Sequence, residues 1–296
     1  MASSISSSPL SMLSATLSAV ADRLEAQPVG GYGISDVIAA EPVAWAAMAL
    51  AGTGRDAAAR TAAEWLAKAQ QSDGSVGVTA EEQRPAWTTA PAVLAWLAVD
   101  PSGYADRIDR AFAWALEQKP WTAPRTRIFG HDTELAGWSW AADTHSWLEP
   151  TAFFVKAFVA AGRTEPPRVQ EAIRLLVDRL LPRGGANYGN TVVLGQELLQ
   201  HVQSSGIVAW VLADTPSANH LTATLDYLEA AIEEPTGVAS LAYAALGLSA
   251  AGRFSERLAE ALIAAAPRVE TCAGSYKPAL YASACQAVLR AEANHS

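Results

Sequence analysis

Three titratable side chains lie close together near the middle of the chain, at Asp143, His145 and Glu149. His145 and Glu149 are four residues apart and lie at the entry of a predicted apolar helix. A carboxyl group in an apolar cavity has a raised pKa and can donate a proton, and an imidazole beside it can orient or reprotonate it. Glu149 could instead stabilise the positive end of a helix. Both roles remain open; in the catalytic one, Glu149 is the acid and His145 or Asp143 is its partner.

Aromatic side chains form the second group of candidates, because the chain has 10 tryptophans. Aromatic faces stabilise a bound cation or a passing carbocation, although large rings also simply fill gaps between helices. The turn after Gly184 and Gly185 could direct amide and phenol groups into the same site, or its Asn side chains could satisfy local backbone groups. The predicted ligand-binding residues are Glu41, Trp45, Trp87, Trp138, Trp140, Trp147, Asn187, Tyr188 and Asn190.

Prolines recur just before Ala-rich apolar segments and predict where helices begin. Pro42 and Pro85 are 43 residues apart, as are Pro235 and Pro278, and a period of this size is typical of arrays of helical repeats. Proline is tolerated in the first helical turn because its missing N–H would have no partner there. Glutamate directly precedes three such prolines, at Glu41, Glu149 and Glu234. This repetition favours the helix-end role for these glutamates.

Two kinds of helix alternate along the sequence. One kind carries a charged face, as in Arg60, Glu64 and Lys68, and is predicted at 10–27, 56–71, 104–118, 167–181, 218–231 and 253–267. The other kind is apolar all round and is predicted at 42–53, 86–99, 150–161, 204–213, 236–251 and 278–292. Six such pairs predict an all-α fold, an (α/α)6 toroid of six helical hairpins, as a single domain over 1–296. The third unit has an insertion at 119–140, for which we predict a lid.

Composition and charge exclude several classes of function. The formal net charge of −9 argues against binding to nucleic acid or to an anionic membrane surface. The two cysteines, Cys272 and Cys285, form neither a disulfide framework nor a CxxC metal motif. No apolar segment reaches the length of a membrane span, and the first basic residue, Arg23, comes too late for a signal peptide. We therefore expect a cytoplasmic protein without a membrane span, bound metal or cofactor.

Three stretches resemble a known family. Residues 65–75, reading WLAKAQQSDGS, resemble the QW-type repeat of squalene–hopene cyclases and their prenyltransferase relatives, with Val76 where the motif has Trp. Residues 137–152 and 184–195 resemble small bacterial prenyltransferase/squalene-oxidase repeat proteins. The resemblance implies a closed toroid with an apolar cavity for an isoprenoid-type ligand. The D-x-D-D motif of the cyclases and the D-D-x-x-D motif of the synthases are missing from this sequence, and the slot similar to D-x-D-D reads WLEPTA at 147–152.

Three functions remain open on the sequence. The first is a terpenoid-cyclase-like protein that holds an apolar small molecule in a central cavity, with proton-initiated chemistry at Glu149 and His145. The second is a non-catalytic toroid that binds a protein or peptide partner, which the missing acid and metal motifs favour. The third is a carbohydrate-active (α/α)6 enzyme with paired carboxylates and sugar-stacking tryptophans. The sequence predicts neither whether turnover occurs nor the oligomeric state.

Overall fold

The structure is a computed structural model that describes residues 8–33, 35 and 37–294, and this part of the chain is mainly α-helical. The predicted all-α class is confirmed. The odd-numbered helices are α1 (Pro9–Ala26), α3 (Asp56–Ala69), α5 (Ala105–Glu117), α7 (Pro167–Asp178), α9 (Thr222–Ala231) and α11 (Glu256–Glu270). The even-numbered helices are α2 (Ala40–Gly52), α4 (Thr89–Val99), α6 (Leu148–Ala160), α8 (Val202–Leu212), α10 (Val238–Ala250) and α12 (Tyr276–Ala293). A short 3-10 helix at Ala218–Leu221 precedes α9, and strands β1 (Val192–Val193) and β2 (Gln196–Glu197) form an antiparallel hairpin.

The two sets of helices differ in how they are buried, as their sequences require. In α3, the charged residues Arg60, Glu64 and Lys68 are exposed, while Leu66 and the alanines of the opposite face are buried. In α2, by contrast, every residue from Ala40 to Ala47 is buried. A helix that is apolar all round is stable only with neighbours on every side, so the even-numbered helices form the core.

The contacts between the even-numbered helices run in a cycle. Each of these helices packs against the next one along the chain, and α12 packs against α2. The α12–α2 contact includes a hydrogen bond of 2.6 Å from Gln286 Nε2 to the carbonyl oxygen of Ala49. The outer helices α1 and α11 also pack together, and Arg23 donates to the carbonyl oxygens of Val269 and Glu270 at 3.2 Å each. Helices from the two ends of the described chain therefore meet.

A hydroxyl group near the start of an even-numbered helix holds the preceding loop at three points in the chain. The side-chain oxygens of Thr89, Thr151 and Ser205 accept a hydrogen bond from the backbone N–H of Val76, Trp138 and Ala186, at 2.9, 2.9 and 2.8 Å. These N–H groups are buried and would otherwise be unpaired. The same contact in three successive units is direct evidence for the structural repeat.

One predicted detail differs from the structure. The helix expected at Pro235 begins instead at Val238, so Glu234 and Pro235 are exposed and lie before α10. The predicted insertion at 119–140 is tied to its surroundings by backbone hydrogen bonds. Trp121 N donates to Thr144 O at 3.0 Å, and residues 128–130 pair with the strand that contains β1.

The described helices include none that is both long and apolar enough to cross a membrane.

Candidate functional site

Two buried glutamates lie in the first turns of helices α2 and α6. The exposed fractions of Glu41 and Glu149 are 6% and 7%. Glu149 Oε1 accepts a hydrogen bond of 2.9 Å from Ser204 Oγ on α8, and Glu41 Oε2 accepts one from the hydroxyl of Tyr32. Both carboxyl groups are thus bonded to side chains outside their own helices, which is unlike a helix-capping contact.

Burial raises the pKa of both carboxyl groups. The pKa of Glu41 rises from 4.5 to about 7, chiefly through loss of solvent, and the charge of Glu149 adds to the rise. The hydrogen bond from Tyr32 and the indole of Trp45 act in the opposite direction. Burial likewise raises the pKa of Glu149, while Ser204 opposes the change. The helix N-terminus favours the charged form, but desolvation is the larger effect, so Glu41 holds a proton up to about neutral pH.

Three tyrosines connect Glu41 with the surface and with the core. The ring of Tyr32, which is 40% exposed, packs edge-on against Tyr276 with 5.3 Å between centroids. The hydroxyl of Tyr276 lies 3.3 Å from that of the fully buried Tyr243. Since Tyr32 hydrogen-bonds to Glu41 and is itself exposed, it links this carboxyl group to the surface.

Aromatic rings fill the middle of the helix cycle beneath the glutamates. Trp45 on α2 packs against Trp210 on α8 and Tyr243 on α10, with 5.8 Å between centroids in both pairs, and Phe153 on α6 contacts Tyr243 at 6.3 Å. Helices α2 and α8 are not neighbours in the cycle, so their side chains can meet only across its centre. The indole Nε1 of Trp45 is buried with no hydrogen-bond partner in the described part of the chain.

His145 and Asp143 lie apart from Glu149. Both are exposed residues of the loop before α6, and Asp143 has a positive φ of 60°. The imidazole of His145 packs on Trp147, with 4.5 Å between ring centroids, and burial and Arg179 lower its pKa. Among the described residues, no hydrogen bond joins His145 or Asp143 to Glu149. Helix α6 begins at Leu148, so Glu149 lies in its first turn and His145 lies in the preceding loop.

The predicted tryptophans divide into different environments. Trp138 is 2% exposed, and its indole Nε1 donates to Ala115 O on α5 at 2.9 Å, which is a packing role. Trp140 meets Trp87 edge-on at 4.7 Å, and Trp87 reaches Phe153 at 6.3 Å. Trp87 and Trp140 therefore extend the central aromatic cluster towards the loop before α4.

The predicted Asn-Tyr-Asn turn is largely structural. Asn187 donates from Nδ2 to Leu199 O at 2.6 Å and accepts from Tyr188 N at 2.7 Å, so its amide is used within the loop. Tyr188 is exposed and packs on His201 at 4.5 Å. Asn190 lines a separate cavity with His145. None of these three side chains has a hydrogen bond to Glu41 or Glu149 among the described residues.

Sequence analysis missed the tyrosines and the serine that surround the carboxyl groups. Tyr32 and Tyr276 are separated by most of the chain, and Ser204 is contributed by a third segment. Ser204 and Tyr276 lie near the start of predicted apolar helices, as Glu41 and Glu149 do. This shared position was the only feature of the sequence that could have predicted their place beside the carboxyl groups.

No protein-family model matches the chain, and no curated protein matches it significantly. Among the described residues, no group of three or more His, Cys, Asp or Glu side chains could hold a metal ion.

Proposed function

We propose that this protein is an (α/α)6 toroid of the terpenoid-cyclase type that binds a small apolar molecule and transfers a proton to it from Glu41 or Glu149. The cycle of contacts among the even-numbered helices and the repeated hydroxyl contacts of Thr89, Thr151 and Ser205 support the toroid. Resemblance of three sequence stretches to the prenyltransferase and squalene-cyclase repeats supports the ligand class.

The observation that carries the proposal is a pair of buried carboxyl groups with raised pKa values, one of which, Glu41, is hydrogen-bonded to an aromatic side chain, Tyr32. An ion pair would keep a buried carboxylate charged, yet Glu41 and Glu149 are hydrogen-bonded to hydroxyl groups. Burying such groups costs stability, because loss of solvent disfavours the charged carboxylate and raises the pKa above its value in water. Perturbed carboxyl groups of this kind are typical of functional sites, where a proton must be available at neutral pH.

The arrangement suits proton transfer to a carbon–carbon double bond. Donation of the carboxyl proton to one alkene carbon leaves a carbocation on the other and a carboxylate on the protein. Aromatic faces such as those of Trp45, Trp210 and Phe153 stabilise a positive charge close to them. Loss of a proton from a neighbouring carbon to the carboxylate then gives an isomerised or cyclised alkene and restores the acid. No cofactor is required for this balance.

The central aromatic contacts limit where the ligand can lie. Because Trp45 meets Trp210 and Tyr243, a ligand would bind on the side of the helix N-termini, between these rings and the glutamates. Tyr32 covers Glu41 on that side and is followed by Gly33, which has a positive φ of 83°. Movement of Tyr32 would open the site.

Deuterium transfer from solvent tests the proposed chemistry. The wild-type protein, Glu41→Gln and Glu149→Gln would be incubated in D₂O with geranylgeraniol and with squalene, followed by mass spectrometry of recovered alkenes. We expect deuterium in the wild-type products and a loss on the order of 10²-fold or more in the variant that removes the donor. Glu234→Gln, at an exposed Glu-Pro pair, is the matched control and should behave as wild type.

The outcome against the proposal is absence of incorporation in the wild type together with absence of any bound lipid. Native mass spectrometry of the purified protein provides the second measurement, because a co-purifying apolar molecule would add a discrete mass. Incorporation that persists in both glutamine variants would instead show that the proton comes from elsewhere.

A non-catalytic scaffold is the second candidate, and the filled centre of the helix cycle favours it. A toroid whose middle is occupied by Trp45, Trp210 and Phe153 can act through its surface alone. This function predicts that Glu149→Ala leaves binding of a protein partner intact, while replacement of an exposed loop aromatic such as Tyr188 abolishes it.

A further inference from the structure

A cavity lies away from the glutamates, beneath the insertion. It has a volume of about 230 Å³ and lies between the insertion, the loop before α6 and the loop at 189–190. Trp121, Phe129 and Leu135 give it apolar walls, and His131, His145 and Arg179 give it polar ones. Although the protein has a net charge of −9, none of the described residues that line this cavity is acidic.

Arg179 supplies an unused hydrogen-bond donor at this cavity. Its exposed fraction is only 4%, and its guanidinium group donates to the Asp178 carboxylate and, from Nη2, to Asp132 O at 3.0 Å. The third nitrogen, Nε, is buried and has no partner among the described residues. Because Nε is enclosed by protein atoms, a ligand in the cavity would instead be reached by the second N–H groups of Nη1 and Nη2, to which an acceptor oxygen can form charge-assisted hydrogen bonds.

His131 is the second donor. Its Nδ1 lies 3.4 Å from the backbone nitrogen of Thr191, which donates to it, so the proton of the neutral ring is on Nε2. Burial and the charge of Arg179 lower the pKa of His131 to about 4, against the opposing charges of Asp178 and Asp132. The ring is therefore neutral near pH 7, with its remaining N–H available to an acceptor.

We propose that this cavity binds a small aromatic carboxylate, with the carboxylate on Arg179 and His131 and the ring against Trp121 and Phe129. The lining offers donors and no acidic side chain, since the Asp178 carboxylate that pairs with Arg179 is outside it, and this favours an acceptor as ligand; the apolar walls select a carbon skeleton over a bare inorganic anion. A cavity of about 150 Å³ accommodates a benzene molecule, so 230 Å³ holds a benzoate-sized ligand. The inference does not depend on proton transfer at Glu41 or Glu149.

Fluorine NMR of 4-fluorobenzoate provides the test. The full-length protein would be titrated with this probe, and benzoate, benzamide and inorganic phosphate would be added as competitors. We expect saturable binding that benzoate displaces. Benzamide and phosphate should compete at least about tenfold more weakly, because benzamide lacks the carboxylate and phosphate lacks the aromatic ring.

Two variants and one control assign the binding to this cavity. Arg179→Lys keeps the positive charge but removes the planar set of guanidinium N–H donors, and Trp121→Ala removes a side chain that is 61% exposed and so leaves folding intact. Each should weaken binding of the probe at least about tenfold, consistent with loss of a charge-assisted hydrogen bond or of a ring contact. Leu199→Ala, at a residue that is 73% exposed and outside the cavity lining, should bind as wild type.

Three results would overturn the inference. The first is a lack of saturable binding at about 10 mM probe, since a site for this ligand should reach at least millimolar affinity. The second is equal binding by wild type and Trp121→Ala, which is decisive even if Arg179→Lys fails to fold. The third is competition by inorganic phosphate as strong as that by benzoate. Because Glu41→Gln leaves this cavity intact, retained probe binding in that variant separates this inference from the proposed function.

Discussion

The wild-type protein should lose stability as the pH rises from about 4.5 to about 7, and the substitution Glu41→Gln should abolish this loss. Burial raises the pKa of Glu41 from 4.5 to about 7, so in this range the folded protein keeps a proton that the unfolded chain has released. The folded state then binds more protons, and the free energy of unfolding falls as the pH rises. Above pH 7 both states are ionised, and the full loss is present.

The size of the effect follows from the interval between the two pKa values. Each pKa unit corresponds to 1.36 kcal/mol, so Glu41 lowers the free energy of unfolding by about 3 kcal/mol at pH 8. For a chain of 296 residues, an average unfolding entropy converts this to about 5 °C in Tm. Glutamine is neutral at every pH and can still accept the hydrogen bond of Tyr32. Glu41→Gln should therefore match the wild type near pH 4 and exceed its stability at pH 8.

Urea unfolding of the wild type and Glu41→Gln at several pH values between 4 and 8 measures this difference. Wild type and Glu41→Gln must be compared at each pH because His131 changes the stability of both proteins in the opposite direction. Its pKa is lowered to about 4, so its contribution makes the free energy of unfolding rise with pH. The exposed control, Glu234→Gln, should run parallel to the wild type. A difference between wild type and Glu41→Gln that stays constant from pH 4 to pH 8 would refute the reasoning.

Three further substitutions test contacts elsewhere in the molecule by urea unfolding. In the wild type, the free energy of unfolding should fall by about 3 kcal/mol as the pH falls from 6.5 to about 4, because His131 is protonated in the unfolded chain but still neutral in the folded protein. His131→Gln should abolish this decrease. Thr151→Val should cost about 1–3 kcal/mol because it leaves the buried N–H of Trp138 unpaired. Gln286→Leu should cost about 1 kcal/mol, because it removes one of two side-chain hydrogen bonds to Ala49 O at the α12–α2 contact; Thr53 Oγ1 donates the other at 2.9 Å.

Exposed residues of the same types provide the controls for these substitutions. His220→Gln, Thr61→Val and Gln170→Leu alter residues on the surface and should each change the free energy of unfolding by no more than about 0.5 kcal/mol. A substitution whose effect does not exceed that of its control would contradict the role given to the corresponding contact.

Most of the helices could be predicted because their signals are local. Proline, glycine and the apolar pattern are read within a dozen residues, and each helix lies within four residues of its predicted ends. The pairs Glu41-Pro42 and Glu234-Pro235 have the same two residues but different positions. The first lies in the first turn of α2, whereas the second lies before α10, which begins at Val238. Packing therefore decides which Glu-Pro pair becomes the first turn of a helix and which remains in a loop.

The candidate site could be predicted only in part, because its members come from distant segments. Glu41 and Glu149 were named from their positions at helix starts, but the hydroxyl groups on them come from Tyr32 and Ser204. Spacing along the sequence carries no information about such partners. The expected pairing of His145 with Glu149 shows that a short separation along the sequence does not ensure contact either. Residues four apart are neighbours only where both are in one helix, and His145 is outside α6.

The cycle of helix contacts also has a consequence for how the protein folds. Gln286 and Ala49 are 237 residues apart, and closing a flexible loop of that length costs on the order of 5 kcal/mol of chain entropy. Contacts of such long range slow the search for the native state. Until α12 reaches α2, the unclosed array exposes apolar surface at both of its ends, so yields of refolding should decline as protein concentration increases.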